Sequence, residues 1–276
     1  MISLPCFLLL LPSPPTPVIF GIGPLTVSYF GLFVVLGIIL GTWMTGRQLE
    51  RLGYQRFLAI ESLLFAVPCG VVGARLYYVL SEYAEQYASN PFPSVIKIWE
   101  GGLGLYGAVA GGFVGLFLFC RIRGISTLAF ADAAAPGLAL GQAVGRLGNY
   151  FNQELFGGPS DLPWAVYIAP QNRPVGFADV TSFHPTFFYE AIWDALVCLV
   201  LLVVARRFSE RLRAGDVFML SVVLYSIGHL LVGTLRLDGA FVEGGYVRSD
   251  LLLSVALTLF FTFLLVGRTL RSRKLG

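Results

Sequence analysis

The sequence predicts an all-α integral membrane protein of about seven transmembrane helices, with the N-terminus outside and the C-terminus in the cytoplasm. Three observations predict it. Charged residues make up only 13% of the 276-residue chain and the mean hydropathy is +0.76, whereas a soluble domain carries about 25% charged residues. Apolar runs of the length that crosses a bilayer as a helix recur at about 24–46, 58–80, 103–120, 126–146, 186–205, 216–235 and 249–268. The basic residues cluster after alternate runs: Arg47, Arg51 and Arg56; Arg121 and Arg123; Arg206, Arg207, Arg211 and Arg213; Arg268, Arg271, Arg273 and Lys274. These are thirteen of the 19 lysines and arginines. Cytoplasmic loops hold the excess of Lys and Arg, so this face is the cytoplasmic one.

The segments follow in order. MISLPCFLLLLPSPPTP is apolar but lacks a basic start, and Pro12, Pro14, Pro15 and Pro17 interrupt it. It makes a poor signal peptide and is too short to span, so residues 1–23 are expected to be irregular or interfacial. Residues 18–270 read as one polytopic domain with no internal repeat, and 271–276 as a basic cytoplasmic tail. The third span carries Gly107, Gly111, Gly112 and Gly115, and small residues let helix backbones approach where lipid offers no hydrophobic drive. Two outer segments, 81–102 and 147–185, are rich in proline and aromatics, among them Tyr83, Tyr87, Trp99, Trp164 and Tyr167. Interfacial caps have this composition. Cys6, Cys69, Cys120 and Cys198 share no metal-ligand spacing and read as small apolar residues. A net charge of +3 gives no basic surface for nucleic acid.

The remaining polar residues collect on the outer side. Tyr29 opens the first span and Arg75 lies in the second. Glu100 and Tyr106 flank the glycine run, His184 and Glu190 bracket the start of the fifth span, and His229, Arg236 and Asp238 end the sixth. The densest group is GRLGNYFNQELFGG, 145–158, with Arg146, Asn149, Asn152, Gln153 and Glu154. It reads as a glycine-flanked loop in which Arg146 and Glu154 are a candidate pair. Charges at membrane depth cost a few kcal/mol each and are kept for function or given partners. Several cations, amides and carboxylates together suit an anionic ligand of the outer leaflet, such as a phospholipid headgroup. Arginine fits phosphate because its planar fork donates two hydrogen bonds at once. The alternative is a set of unrelated snorkelling residues and structural ion pairs.

GRLGNYFNQELFG resembles the signature of the bacterial prolipoprotein diacylglyceryl transferases. PLTVSYFGL, VVGARLYYVL, IWEGGLGLYGAVAGG, FADAAAPGLALGQAVGRLGN and FHPTFFYEAIWD follow in the family's order. The resemblance implies a seven-span enzyme of the bacterial inner membrane. It would move the diacylglyceryl group of phosphatidylglycerol to the lipobox cysteine of a prolipoprotein signal peptide. A thioether forms, glycerol phosphate leaves, and no metal or redox cofactor is needed. The partners are phosphatidylglycerol, the prolipoprotein and membrane lipids.

By position, the resemblance makes Arg146 the phosphate-holding residue. Asn149 and Asn152 become headgroup ligands, Glu154 an acid, base or orienting group, and Gly157 a space for substrate. Tyr29 and Arg236 join the lipid-binding set, while Asp132, Arg75, His184 and Glu190 support it. Two departures stand out. Tyr106 replaces the family's histidine or tryptophan, and His229 and Gly233 stand where the family has an arginine and, one turn later, a glutamate. Tyr106 and His229 are therefore the further catalytic candidates, with a His229 imidazolium standing in for the arginine. The departures also leave open a catalytically weak or inactive lipid-binding relative. A small-solute transporter predicts symmetric halves, which the sequence does not show. Oligomeric state is not legible in the sequence.

Overall fold

The structure is a computed structural model that describes residues 14, 16–22, 25–82, 96, 101–237 and 248–273. Among the described residues seven long helices fall near the seven apolar runs: α1 Tyr29–Arg51, α2 Leu58–Ser81, α3 Leu105–Arg123, α4 Thr127–Asn152, α5 Thr186–Arg207, α6 Asp216–Gly233 and α7 Ser249–Arg273. Six of them are long and apolar enough to cross a membrane, which makes this a multi-pass membrane protein. The helix outside that set is α4, which carries Asp132, Gln142, Arg146 and Asn149. Leu64, Leu80, Val109, Leu259 and Phe263 stand exposed on the apolar helices, as lipid-facing side chains must.

The all-helical class holds for the long elements, and two expectations about the segments around them need correction. Two short antiparallel pairs stand outside the helices: β1 Val18–Ile22 with β2 Leu25–Ser28, and β3 Val166–Tyr167 with β4 Ser182–Phe183. The irregular segment assigned to 1–23 therefore contains a strand. Its sequence VIFGI and the following LTVS are rich in β-branched and aromatic residues. The first helix accordingly starts at Tyr29, whose N–H donates to the Pro17 carbonyl at 3.0 Å. The signature is also not a loop, because α4 continues to Asn152. Leu147, Tyr150 and Phe151 keep the apolar helical period going, and Phe151 stacks on Tyr29 at 4.4 Å and on Phe33 at 5.6 Å. Cys6, Tyr83, Tyr87, Trp99, Glu100, Asp238 and the tail from 274 lie outside the described residues.

The chain divides into two compact units, residues 45–134 and residues 1–44 with 135–276. The first unit is built on α2 and α3. Leu49, Ala59, Phe119, Cys120, Phe130 and Ala133 form its core. A side chain at Gly107 or Gly111 would overlap the carbonyl of Gly73 or Cys69, so the glycine run serves close helix packing. Arg123 pairs with Glu61 at 2.5 Å.

The second unit holds α5, α6 and α7 with most of α1 and α4. Ala135, Ala139, Val197, Cys198, Leu201 and Val217 fill one core. Gly37 and Gly41 meet Gly141 and Gly137 so closely that a Cβ at either α1 position would lie 2.7 Å from the facing carbonyl oxygen. A second core, Phe156, Val166, Ile168, Phe183 and Phe187, sits under the segment between α4 and α5. That core braces the end of α4, where the polar residues collect.

Candidate active site

Arg146, Asn149 and Asn152 are spaced three apart on the last turns of α4, so they share one helical face. The helix ends there. Gln153 and Leu155 adopt φ values of 52° and 55°, the left-handed region that non-glycine residues seldom enter. Two hydrogen bonds from other segments hold this turn: the Ala169 N–H donates to Gln153 Oε1 at 2.7 Å, and Thr186 Oγ1 to the Leu155 carbonyl at 2.6 Å. Such residues cost about 1–3 kcal/mol each and persist where their surroundings over-determine them. Here the turn brings Glu154 back over α4. Its N–H donates to the Asn149 carbonyl at 3.2 Å. Its Oε1 accepts from Asn149 Nδ2 at 2.8 Å and from Asn152 Nδ2 at 3.1 Å. Beside it lies an open hollow of about 650 Å³, lined by Phe151, Asn152, Gln153, Glu154, Gln171 and Asn172 among others.

Arg146 is not paired with Glu154, as the sequence suggested, but with Glu190 of α5. Once Glu154 is folded back onto two amides, the carboxylate on the facing helix is the one Arg146 meets. Glu190 is 5% exposed. Its Oε2 lies 3.0 Å from Arg146 Nε, and its Oε1 accepts from Arg236 Nη1 at 3.1 Å. One buried carboxylate thus gathers two guanidinium groups, one from α4 and one from the segment that follows α6. One helical turn along α5, Asp194 is 3% exposed, and its Oδ2 has no hydrogen-bond partner among the described residues.

Arg236 is placed by backbone. Gly157 and Arg236 form an antiparallel bridge. The Gly158 N–H donates to the Leu235 carbonyl at 2.8 Å, the Gly157 N–H to the His184 carbonyl at 2.8 Å, and the His184 N–H to the Gly158 carbonyl at 2.9 Å. A Cβ at 157 would lie 2.7 Å from the Leu235 oxygen and 2.8 Å from Thr186 Cγ2. Glycine at 157 therefore lets three segments meet, a packing reason that stands whatever space a substrate needs. Gly157→Ala is expected to push the bridge apart and to cost about 1–3 kcal/mol, as overpacking does. At Gly158 the nearest atom to a new Cβ is 4.0 Å away, so Gly158→Ala should stay near the parent. Thermal unfolding of the two purified variants checks this, and equal midpoints would contradict it.

The α6 face completes the site. Trp193 donates through Nε1 to the Leu224 carbonyl at 2.9 Å, and its indole occupies the space a side chain at Gly228 would need. His229 stacks with Tyr225 at 6.3 Å, and its Nε2 lies 3.4 Å from Asp250 Oδ2. Asp250 is gripped by Arg248 through Nη2 at 2.5 Å and Nε at 3.1 Å. Arg248 Nη1 donates to the carbonyls of Gly233 at 2.6 Å and Arg236 at 3.2 Å. Arg146, Glu190, Asp194, Tyr225 and His229 line a cavity of about 10 Å³, the room of a single water.

This arrangement falls in a stretch that known proteins share. A family model described as prolipoprotein diacylglyceryl transferase matches residues 17–267. The chain belongs to that family. A protein of Frankia alni named phosphatidylglycerol--prolipoprotein diacylglyceryl transferase is 46% identical over 233 residues, which are 83% of this chain and 60% of that protein. Proteins of the same name from Gloeobacter violaceus and Mycobacteroides abscessus are 43% and 41% identical. Those matches cover 88% of this chain and 88% of the former protein, and 85% of this chain and 72% of the latter. The chain thus spans less than two thirds of the Frankia relative's length and most of the Gloeobacter one.

Of the other positions that the family resemblance named, Tyr29 packs on Phe151, and His184 Nδ1 lies 3.3 Å from the Tyr189 hydroxyl, which also accepts from Trp164 Nε1 at 2.9 Å. Arg75, Tyr106 and Asp132 belong to the other compact unit. There Arg75 donates to the Gly101 and Gly102 carbonyls at 2.7 and 2.9 Å. Tyr106 is exposed and meets Tyr77 edge-on at 5.8 Å, and Asp132 is half-buried. Sequence reasoning missed Asp194, Trp193, Tyr225, Arg248 and Asp250. Asp194 had a signal, since it lies four residues from Glu190 and thus on the same face of a helix.

Proposed function

We propose that this chain transfers the diacylglyceryl group of phosphatidylglycerol to the lipobox cysteine of prolipoproteins, the first step of lipoprotein maturation. The observation that carries the reading is the convergence of Arg146 and Arg236 on buried Glu190, beside the amides of the family signature. Glu190 fixes both guanidinium groups in place, so donors are aimed before the ligand arrives. A phosphodiester entering there meets two cationic forks. The cysteine sulfur, as thiolate, attacks the glycerol carbon. The S–C bond forms as the C–O bond to phosphate breaks, and the oxygen leaves with glycerol phosphate. Negative charge grows on that phosphate, where preorganised cationic donors lower the barrier most. Glu154, with Asn149 and Asn152, presents a rigid polar face to the glycerol end.

On this reading the site lies in the outer leaflet of the bacterial inner membrane, with α4 as the seventh span, the N-terminus outside and the C-terminus inside. The alternation of basic clusters supports this orientation. A reporter fused after Gly276 should therefore be active only as a cytoplasmic fusion, and periplasmic activity would overturn the orientation. The transferase reading is tested by expressing the chain in bacteria depleted of their own diacylglyceryl transferase. Restored thioether-modified lipoprotein supports it. Normal membrane levels of the protein with no modification would favour the inactive lipid-binding relative that His229 and Gly233 leave open.

A further inference from the structure

We infer that Asp250, gripped by Arg248, is a positioning residue that holds His229 as a cation on the substrate-facing side of α6. The inference rests on the proposed function. At 229 and 233 the sixth helix carries a histidine and a glycine, and charged groups of the following segment meet both. Asp250 Oδ2 faces His229 Nε2 at 3.4 Å. Arg248 brings its guanidinium to the Gly233 carbonyl at 2.6 Å. The carboxylate and guanidinium come from residues 248–250, at the start of α7, and leave His229 as the group that reaches the cavity shared with Arg146 and Asp194.

Arg146 and His229 line the same cavity, so a phosphodiester that enters there brings one negative charge beside the imidazole, and an imidazolium at 229 cancels it. Asp250 is the acceptor placed to stabilise that charge. Arg248 holds Asp250 by two hydrogen bonds, fixing the carboxylate's direction. The groups facing His229 are Tyr225 on α6, Arg248 and Asp250 beside it, and Arg146, Glu190 and Asp194 across the cavity.

A double-variant cycle in vesicles of phosphatidylglycerol, with a lipobox peptide as thiol substrate, tests this. Asp250→Asn should cut turnover about tenfold or more in the parent. In a His229→Arg background, where the charge needs no partner, the same change should cost no more than about threefold. Equal losses in both backgrounds would show that Asp250 only braces the fold, and no loss in the parent would likewise overturn the inference. A second measurement needs no variant at Asp250 and no turnover. The chain has 2 histidines, His184 and His229, so ¹⁵N NMR of labelled protein in the same vesicles, with His184→Gln for assignment, reads the His229 ring directly. Both ring nitrogens should be protonated at neutral pH, and a neutral ring overturns the inference. A charged ring in a protein that forms no thioether would sink the transferase reading and leave the charge assignment standing.

Discussion

Arg146→Ala is expected to lower thioether formation by a factor of about a hundred to a thousand, the usual loss when one donor to a developing charge is removed. Arg146 is the more accessible of the two arginines on Glu190, at 19% side-chain exposure against 11% for Arg236. It also lines the cavity that reaches His229. Glu190 engages it through Nε, so its terminal nitrogens are the atoms left to meet a phosphate. Arg146→Lys should also fail to restore the parent rate, because an ammonium is a point charge without a fork. The loss should fall mainly on the chemical step, since an interaction made in the transition state lowers kcat and kcat/KM together. Near-normal thioether formation by Arg146→Ala, in protein of unchanged thermal stability, would remove Arg146 from the reaction.

The seven helices were legible because each is a long apolar run, and alternate runs end in basic residues; both signals are local. The strands at 18–28 were harder to read, because a short apolar run beside a span has no period of its own to mark it. At the site, the residue types were legible and their pairing was not. Arg146 and Glu154 are eight apart in sequence and invite pairing. The left-handed residues at 153 and 155 turn Glu154 onto Asn149 and Asn152 instead. Neither Gln153 nor Leu155 advertises that backbone, since their side chains carry no preference for it. Glu190 and Arg236 were visible as polar residues near span ends, but their meeting depends on the Gly157–Arg236 bridge, a long-range backbone pairing. Arg248 and Asp250 went unread because they sit at the start of the seventh span, where charged residues usually face water.

Replacing Glu190 should have a large effect of a different kind. Its side chain is 6% exposed and sits between two guanidinium groups that are themselves mostly buried. Removing one partner of a buried pair leaves charge uncompensated and costs about 3–5 kcal/mol. Glu190→Gln keeps the shape but leaves Arg146 and Arg236 facing each other across an amide. The variant should lose thermal stability by that order and lose turnover as well, because the donors are no longer held in place. Stability and activity can then be separated. Glu190→Gln with Arg236→Gln removes one cation along with the anion, so much of the lost stability should return, while turnover stays low because one phosphate donor is gone. Unfolding midpoints and thioether formation measured on the parent, the single and the double variant check both arms. A Glu190→Gln protein that melts with the parent and works at its rate would mean that Glu190 neither holds the arginines nor organises the site.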